Sequence, residues 1–337
     1  MSKTHDRLFK RLTDGTRHAE PFVRADAARQ LGLLRDPRAV AALAAMLDAD
    51  LTYSKITPVY ALGHIGNAKA ARALRQCAAD PRVFDMPGFY NHDIIRLAAV
   101  LALLWNDDDS GYEQIGDLMM EDHLEAYLHL GRAILELPDN PRNAPLRGKI
   151  TREYLMRRHR QQNAAIQGRV TAAFALLGGA AARRFIVEQL THVSRYVRAE
   201  ATRALLTLKR SPANLKAVEA MLRRERTPFV KLKTAALLHE PGDRRAPRLV
   251  REHLDDDDAF VRATALDVLA TLDEPALAEL ALPRLADEEP YVRLCAAEAL
   301  ASRGHDPEAA PLDDDDARVR LAAIRWTIQR QPTPALV

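Results

Sequence analysis

Nowhere in the 337 residues does an apolar run approach the 18 or so that a membrane helix needs, and Met1 to Gly15 carries charge throughout with no apolar core. These absences argue against a helical span and a secretory leader, so a soluble, cytoplasmic chain without membrane partners is expected. Cysteine is almost missing: Cys77 and Cys295 are the only two, far apart in the chain. No disulfide framework is expected, which fits a reducing compartment. Aromatics are scarce at 5% while Ala and Leu abound, a balance that suits helix packing on helix. No stretch alternates polar and apolar residues with a period of two, which excludes a sheet-based fold. Phosphate-binding and dinucleotide glycine signatures are also absent. Gly178-Gly179 reads as a helix C-cap. Asp107 to Asp109, Asp255 to Asp258 and Asp313 to Asp316 lack calcium-loop spacing and read as acidic turns before helix N-termini.

What the chain does contain is a repeat. Asp257 to Leu272 shows the unit: an acidic turn, a hydrophobic residue beside a cation, a small residue three positions on and Leu seven on. That spacing places the apolar positions on one helical face. The cations are Arg24, Lys55, Arg96, Arg169, Arg198, Lys231, Arg262, Arg293 and Arg320. Three residues later stand Ala27, Pro58, Ala99, Ala172, Ala201, Thr234, Ala265, Ala296 and Ala323, small enough for neighbouring helices to approach. Seven residues later Leu recurs at 31, 62, 103, 176, 205, 238, 269 and 300, and only Thr327 breaks the column. A period of about 30 residues points to one elongated stack of about nine to ten helical hairpins.

Val23-Arg24, Ala27 and Leu31-Gly32, followed by Asp36-Pro37-Arg38-Ala39-Val40, resemble the HEAT-repeat family, in particular its phycobilisome-lyase-like branch. Ala61 to Gly66 and Asp257 to Leu272 repeat parts of that pattern. The resemblance implies an all-α, right-handed α-α superhelix whose second helices line a concave surface; it does not fix an activity, because the family holds scaffolds and enzymes alike. Successive cations are 31, 41, 73, 29, 33, 31, 31 and 27 residues apart. The two long steps divide the expected solenoid into N-terminal repeats (1–79), an irregular interval (80–165) and regular C-terminal repeats (166–337). The first long step holds the aromatic, Pro-containing loop Asp80 to His92. The second holds a helix expected over Glu121 to Leu137 and the irregular run Pro138 to Pro145.

Charge is strongly segregated beneath a net +3. Residues 1–79 carry 13 cations and 7 anions, 80–146 carry 4 and 13, 147–252 carry 24 and 8, and 253–337 carry 8 and 18. A basic middle bears on partners, not on fold. Its densest tract, Arg147, Lys149, Arg152, Arg157, Arg158 and Arg160, could hold a polyanion, although Tyr154 is the only aromatic there. The motif cations themselves are expected to be structural, with Asp258–Arg262 and Asp316–Arg320 at the i, i+4 spacing of an internal ladder.

Positions five and nine after the cation fall off the packed face. There Tyr60 with His64, Leu101 with Trp105, and Phe174 define a candidate aromatic patch, and Arg203 stands in the same fifth-position column. Exposed aromatic anchors are what binding surfaces use; the alternative is ordinary core. Asp122, Glu125 and His129 share a helical face but lack a two-His pair, so no metal and no cofactor are expected. The single His239-Glu240 pair does not match the several pairs of the HEAT-repeat iron hydroxylases. The leading reading is a non-catalytic scaffold that binds a protein or peptide on its concave face. The alternatives are a nucleic-acid-binding protein resembling the HEAT-like DNA glycosylases, acting through the basic 147–251 region, and a lyase or other small-molecule enzyme near the 80–92 loop. No catalytic residue can be assigned.

Overall fold

The computed structural model describes residues 3–49, 56–80, 92–108, 110, 144, 148, 152–161, 164–240, 244–272 and 274–330. The 81–91 part of the aromatic loop, the helix expected over Glu121 to Leu137, the run to Pro145, and the Asp122, Glu125, His129 set lie outside these residues. Among the described residues the regular structure is entirely helical, an α-helical solenoid as expected. The helices are α1 (Lys3–Gly15), α2 (Pro21–Leu34), α3 (Val40–Ala49), α4 (Ile56–Ile65), α5 (Ala68–Ala79) and α6 (His92–Leu104). They continue as α7 (Arg152–Gln161), α8 (Ala164–Leu177), α9 (Gly179–Gln189), α10 (Arg195–Leu208), α11 (Pro212–Leu222), α12 (Pro228–Leu238), α13 (Arg245–His253) and α14 (Ala259–Thr271). The last are α15 (Leu277–Ala281), α16 (Pro290–Ser302) and α17 (Ala317–Arg330).

Local chemistry sets many of the boundaries. Pro opens α2, α11, α12 and α16, where its missing N–H costs least. Side chains of Asn67, Ser211 and Asp258 accept hydrogen bonds from the first-turn amides of α5, α11 and α14. Gly178, with φ of 73° and ψ of −173°, is the N-cap of α9, in a backbone conformation open almost only to glycine.

Two compact units form, Met1–Asp122 together with Pro275–Val337, and His123–Glu274. In the first, α2 packs on α4 and α4 on α6, and their closeness depends on missing side chains. A Cβ on Gly32 would lie 2.7 Å from the Ala61 Cα, and one on Gly63 would lie 3.0 Å from the Ala102 Cβ. The same unit joins the two ends of the chain, because α1 and α2 both pack on α17. Arg11 Nη2 donates to the Leu312 carbonyl at 3.0 Å, and Gly15 abuts Leu321. An elongated stack with free ends does not anticipate this contact. In the second unit α8 packs on α10, α10 on α12 and α12 on α14.

The repeat columns do what their residue types imply. Leu31, Leu62, Leu103, Leu205, Leu269 and Leu300 are buried, as are Ala27, Ala99, Ala201, Ala265, Ala296 and Ala323. Each buried Leu contributes about 1.5–3 kcal/mol of transfer free energy. The cations bind structure, but their acceptors differ from the i, i+4 carboxylates expected. Arg262 Nη1 donates to the Asp256 and Asp257 carbonyls, while the Asp258 carboxylate caps α14 through Phe260 N–H. Arg320 donates to the Asp314 and Asp315 carbonyls, and the Asp316 carboxylate holds Arg318. Arg24, Arg198 and Arg293 likewise reach carbonyls five and six residues back. A guanidinium one turn into a helix folds back over the turn's unsatisfied carbonyls, where charge-assisted bonds are strongest.

Candidate functional site

The candidate aromatic patch separates into surface and core. The Tyr60 and Trp105 rings, from α4 and the residue after α6, stack at 5.7 Å with planes 21° apart, and Trp105 is 38% exposed. His64 is exposed beside them in sequence. Leu101 is fully buried, because α6 is apolar nearly all round and enclosed from Leu97 to Leu104. Phe174 is also core: it stacks on Phe185 of α9 at 4.1 Å. Leu101 and Phe174 therefore pack the interior and present no binding surface.

Arg203 lies elsewhere, in the wall of a groove of about 420 Å³ formed by α10, α12 and α14. Ala199, Ala236, Leu237 and Val268 give it apolar walls, and Tyr196 and Phe229 line it as well. The charged side chains in the lining are paired. Arg203 Nη2 meets Glu200 Oε2 at 2.6 Å, and Lys233 binds Asp267 across from α12 to α14. Apolar walls framed by neutralised pairs favour an apolar insert over a free ion.

A column of aromatics escaped the sequence reading. Two residues before six of the nine cations stand Phe22, Tyr53, Tyr196, Phe229, Phe260 and Tyr291, and Phe22, Tyr196 and Tyr291 are 78%, 43% and 49% exposed. In the second unit three of them cluster: Tyr196 to Phe229 is 5.4 Å, Phe229 to Phe260 is 5.3 Å and Tyr196 to Phe260 is 6.4 Å between centroids. The signal was present in the sequence, in the column behind the cation instead of those ahead of it.

A second polar cluster joins α2, α16 and α17 in the first unit. Arg29 binds Asp26 at 2.8 Å and Glu298 at 2.5 Å, and Gln30 reaches Glu298 at 3.4 Å. Burial raises the Asp26 carboxyl above its ordinary value, with Glu298 adding to the rise against the pull of Arg29. Burial likewise lowers the Arg325 guanidinium. Asp26 Oδ2, Gln30 Oε1 and Arg325 Nε are buried without a hydrogen-bond partner. This half-buried, nearly charge-neutral cluster ties the first repeat to the last ones.

Of the basic tract, Arg152 and Arg160 are exposed on α7. Arg157 and Arg158 also lie on α7, but their side chains, like Arg147 and Lys149, fall outside what is described. No group of three or more His, Cys, Asp or Glu among the described residues is placed to hold a metal ion.

Cation-bearing helices of successive repeats packed side by side define the class: an α-helical repeat protein. More particularly, residues 6–86 and 246–326 match the family model for HEAT repeats, so both stretches of the chain are built of HEAT repeats. No curated protein sequence matches it. Among solved structures it is similar to an engineered protein (17% identity, 98% of this chain and 99% of that one, TM-score 0.33). It is also similar to human deoxyhypusine hydroxylase (18%, 90% and 96%, TM-score 0.33). A third is the CpcE–CpcF complex of phycocyanin lyase from Nostoc sp. PCC7120 (20%, 94% and 93%, TM-score 0.28). At these scores the likenesses carry no argument about activity.

Proposed function

We propose that this helical-repeat chain is a scaffold that binds a protein or peptide partner on the face formed by its second helices. The observation that carries the reading is the groove across α10, α12 and α14. It spans three successive repeats, its walls are apolar, and its own charges are already paired. Ligand pockets run from about 300 to 1,000 Å³, and a groove at the small end of that range suits a large side chain presented by a partner. Its Arg203 is the one residue of the expected partner-binding set found in the groove wall; Tyr60 and Trp105 form a separate exposed stack on the other unit.

Affinity purification from the native host tests this with three proteins: wild type, Ala236→Trp to fill the groove, and the Tyr60→Ala, Trp105→Ala double variant. A partner recovered with wild type should be lost with Ala236→Trp and retained with the double variant. Equal recovery with Ala236→Trp, given an unchanged melting curve, rejects the groove as the binding site.

A further inference from the structure

The charge bordering the groove identifies the kind of segment it fits. Glu200 with Arg203 and Lys233 with Asp267 cancel within the lining. Arg195, at the start of α10, does not cancel. Its guanidinium carbon lies 4.6 Å from the Phe260 ring centroid, 5.2 Å from Tyr196 and 5.9 Å from Phe229. Among the described residues its side chain donates one hydrogen bond, to the Tyr196 hydroxyl at 3.3 Å. A guanidinium carries five N–H donors in a fork that matches a carboxylate. The rings hold that fork in place through their quadrupoles while leaving its charge intact, so Arg195 keeps donors for an external anion.

Tyr196 and Phe229 belong both to this aromatic platform and to the groove lining. The anion position and the apolar groove are therefore continuous. Arg223, Arg224 and Arg226 are exposed in the turn that leads into α12, three residues or more before Phe229. They extend the positive field on the same unit, which favours encounter with negative partners. Cations beside aromatic rings also suit a single-stranded nucleic acid, and the oligonucleotide probe below separates the two; the aliphatic walls of Ala199, Ala236 and Val268 favour a protein side chain.

We propose that the groove receives an acidic segment of a partner protein, with one large apolar side chain between Ala199, Ala236 and Val268 and a carboxylate on Arg195. This rests on the scaffold reading above and adds to it the chemistry of the partner. Fluorescence anisotropy with the full chain tests it, using four labelled probes. The first is a short peptide of Glu and Asp around a central Leu-Trp pair; the second has Lys for every acid; the third has Ala for Leu-Trp; the fourth is a single-stranded oligonucleotide.

The acidic Leu-Trp probe should bind most tightly, and Arg195→Gln and Ala236→Trp should each weaken it by about tenfold or more, equivalent to about 1.4 kcal/mol. Ala199→Phe serves as a second groove-filling variant should Ala236→Trp fold poorly, with circular dichroism checking each. If the Lys probe binds as tightly and is still lost with the groove-filling variants, the acidic partner is overturned and the peptide-binding groove stands. If no peptide responds to groove filling, both fall. If the Ala probe and the oligonucleotide bind as well as the Leu-Trp probe, the surface is a general polyanion site and the proposal is overturned.

Discussion

Gly32 occupies the point where α2 and α4 touch backbone to backbone. A methyl group there would meet the Ala61 Cα at 2.7 Å and its Cβ at 2.8 Å, and neither is the tip of a side chain able to swing away. Gly32→Ala should raise helix propensity in isolation, yet here the overpacking term wins, at about 1–3 kcal/mol of lost stability. Urea denaturation should show a lower midpoint for Gly32→Ala; a midpoint equal to or above wild type would show that α2 and α4 separate at little cost. Such residues were partly legible in the sequence. The small and Leu columns identified the packed face because burial follows helical period. Leu101 was not legible, since its column is half-exposed on α4 and α10 but enclosed on α6, and a column averages over environments that differ from copy to copy.

At the level of elements, the recurring device is the cation that ties a helix to the turn before it and, in places, to the next repeat. Arg198 shows both: Nη1 donates to the His192 and Val193 carbonyls, and Nε and Nη2 hold Glu225 at 2.6 and 3.0 Å. Burial alone would raise the Glu225 carboxyl, but hydrogen bonds from Arg198 and Thr227 outweigh it and hold the group at about 2, against an ordinary value of 4.5. A carboxylate lowered in the folded state contributes stability above its unfolded value and loses it as pH falls toward the folded one. Glu225→Gln should therefore cost about 1–3 kcal/mol near neutral pH, and the gap from wild type should close between pH 4.5 and about 2. Chemical denaturation of both proteins across that range checks it; a gap independent of pH would mean that the ion pair contributes nothing. The structural role of the cation was legible from its periodicity. Its acceptors were not, because i, i+4 pairing considers side chains along one helix, whereas these guanidinium groups satisfy backbone carbonyls in the preceding turn. The aromatic column behind the cation was missed because the columns compared all lay ahead of it.

For the molecule as a whole, a repeat period tells which units are neighbours but not whether the first meets the last. That depends on small rotations summed over many repeats, which no single motif records. Here the first unit is assembled from both ends of the chain, with α17 packed on α1 and α2. Leu8, Phe9 and Leu12 of α1 and Leu321, Ile324 and Trp326 of α17 are all buried, so α17 supports α1 although some 300 residues separate them. A variant ending at Asp316 removes that support while leaving every residue of α1 and α2 in place. Loss of even two buried Leu-sized contacts, about 3 kcal/mol, corresponds to about 100-fold faster amide exchange where opening is local. Hydrogen exchange read by mass spectrometry should show that acceleration in α1 and α2, with α10, α12 and α14 of the other unit retaining wild-type protection. A stack whose ends were independent would instead lose protection only beside the cut, in α16, and an unchanged α1 would refute the joining of the two ends.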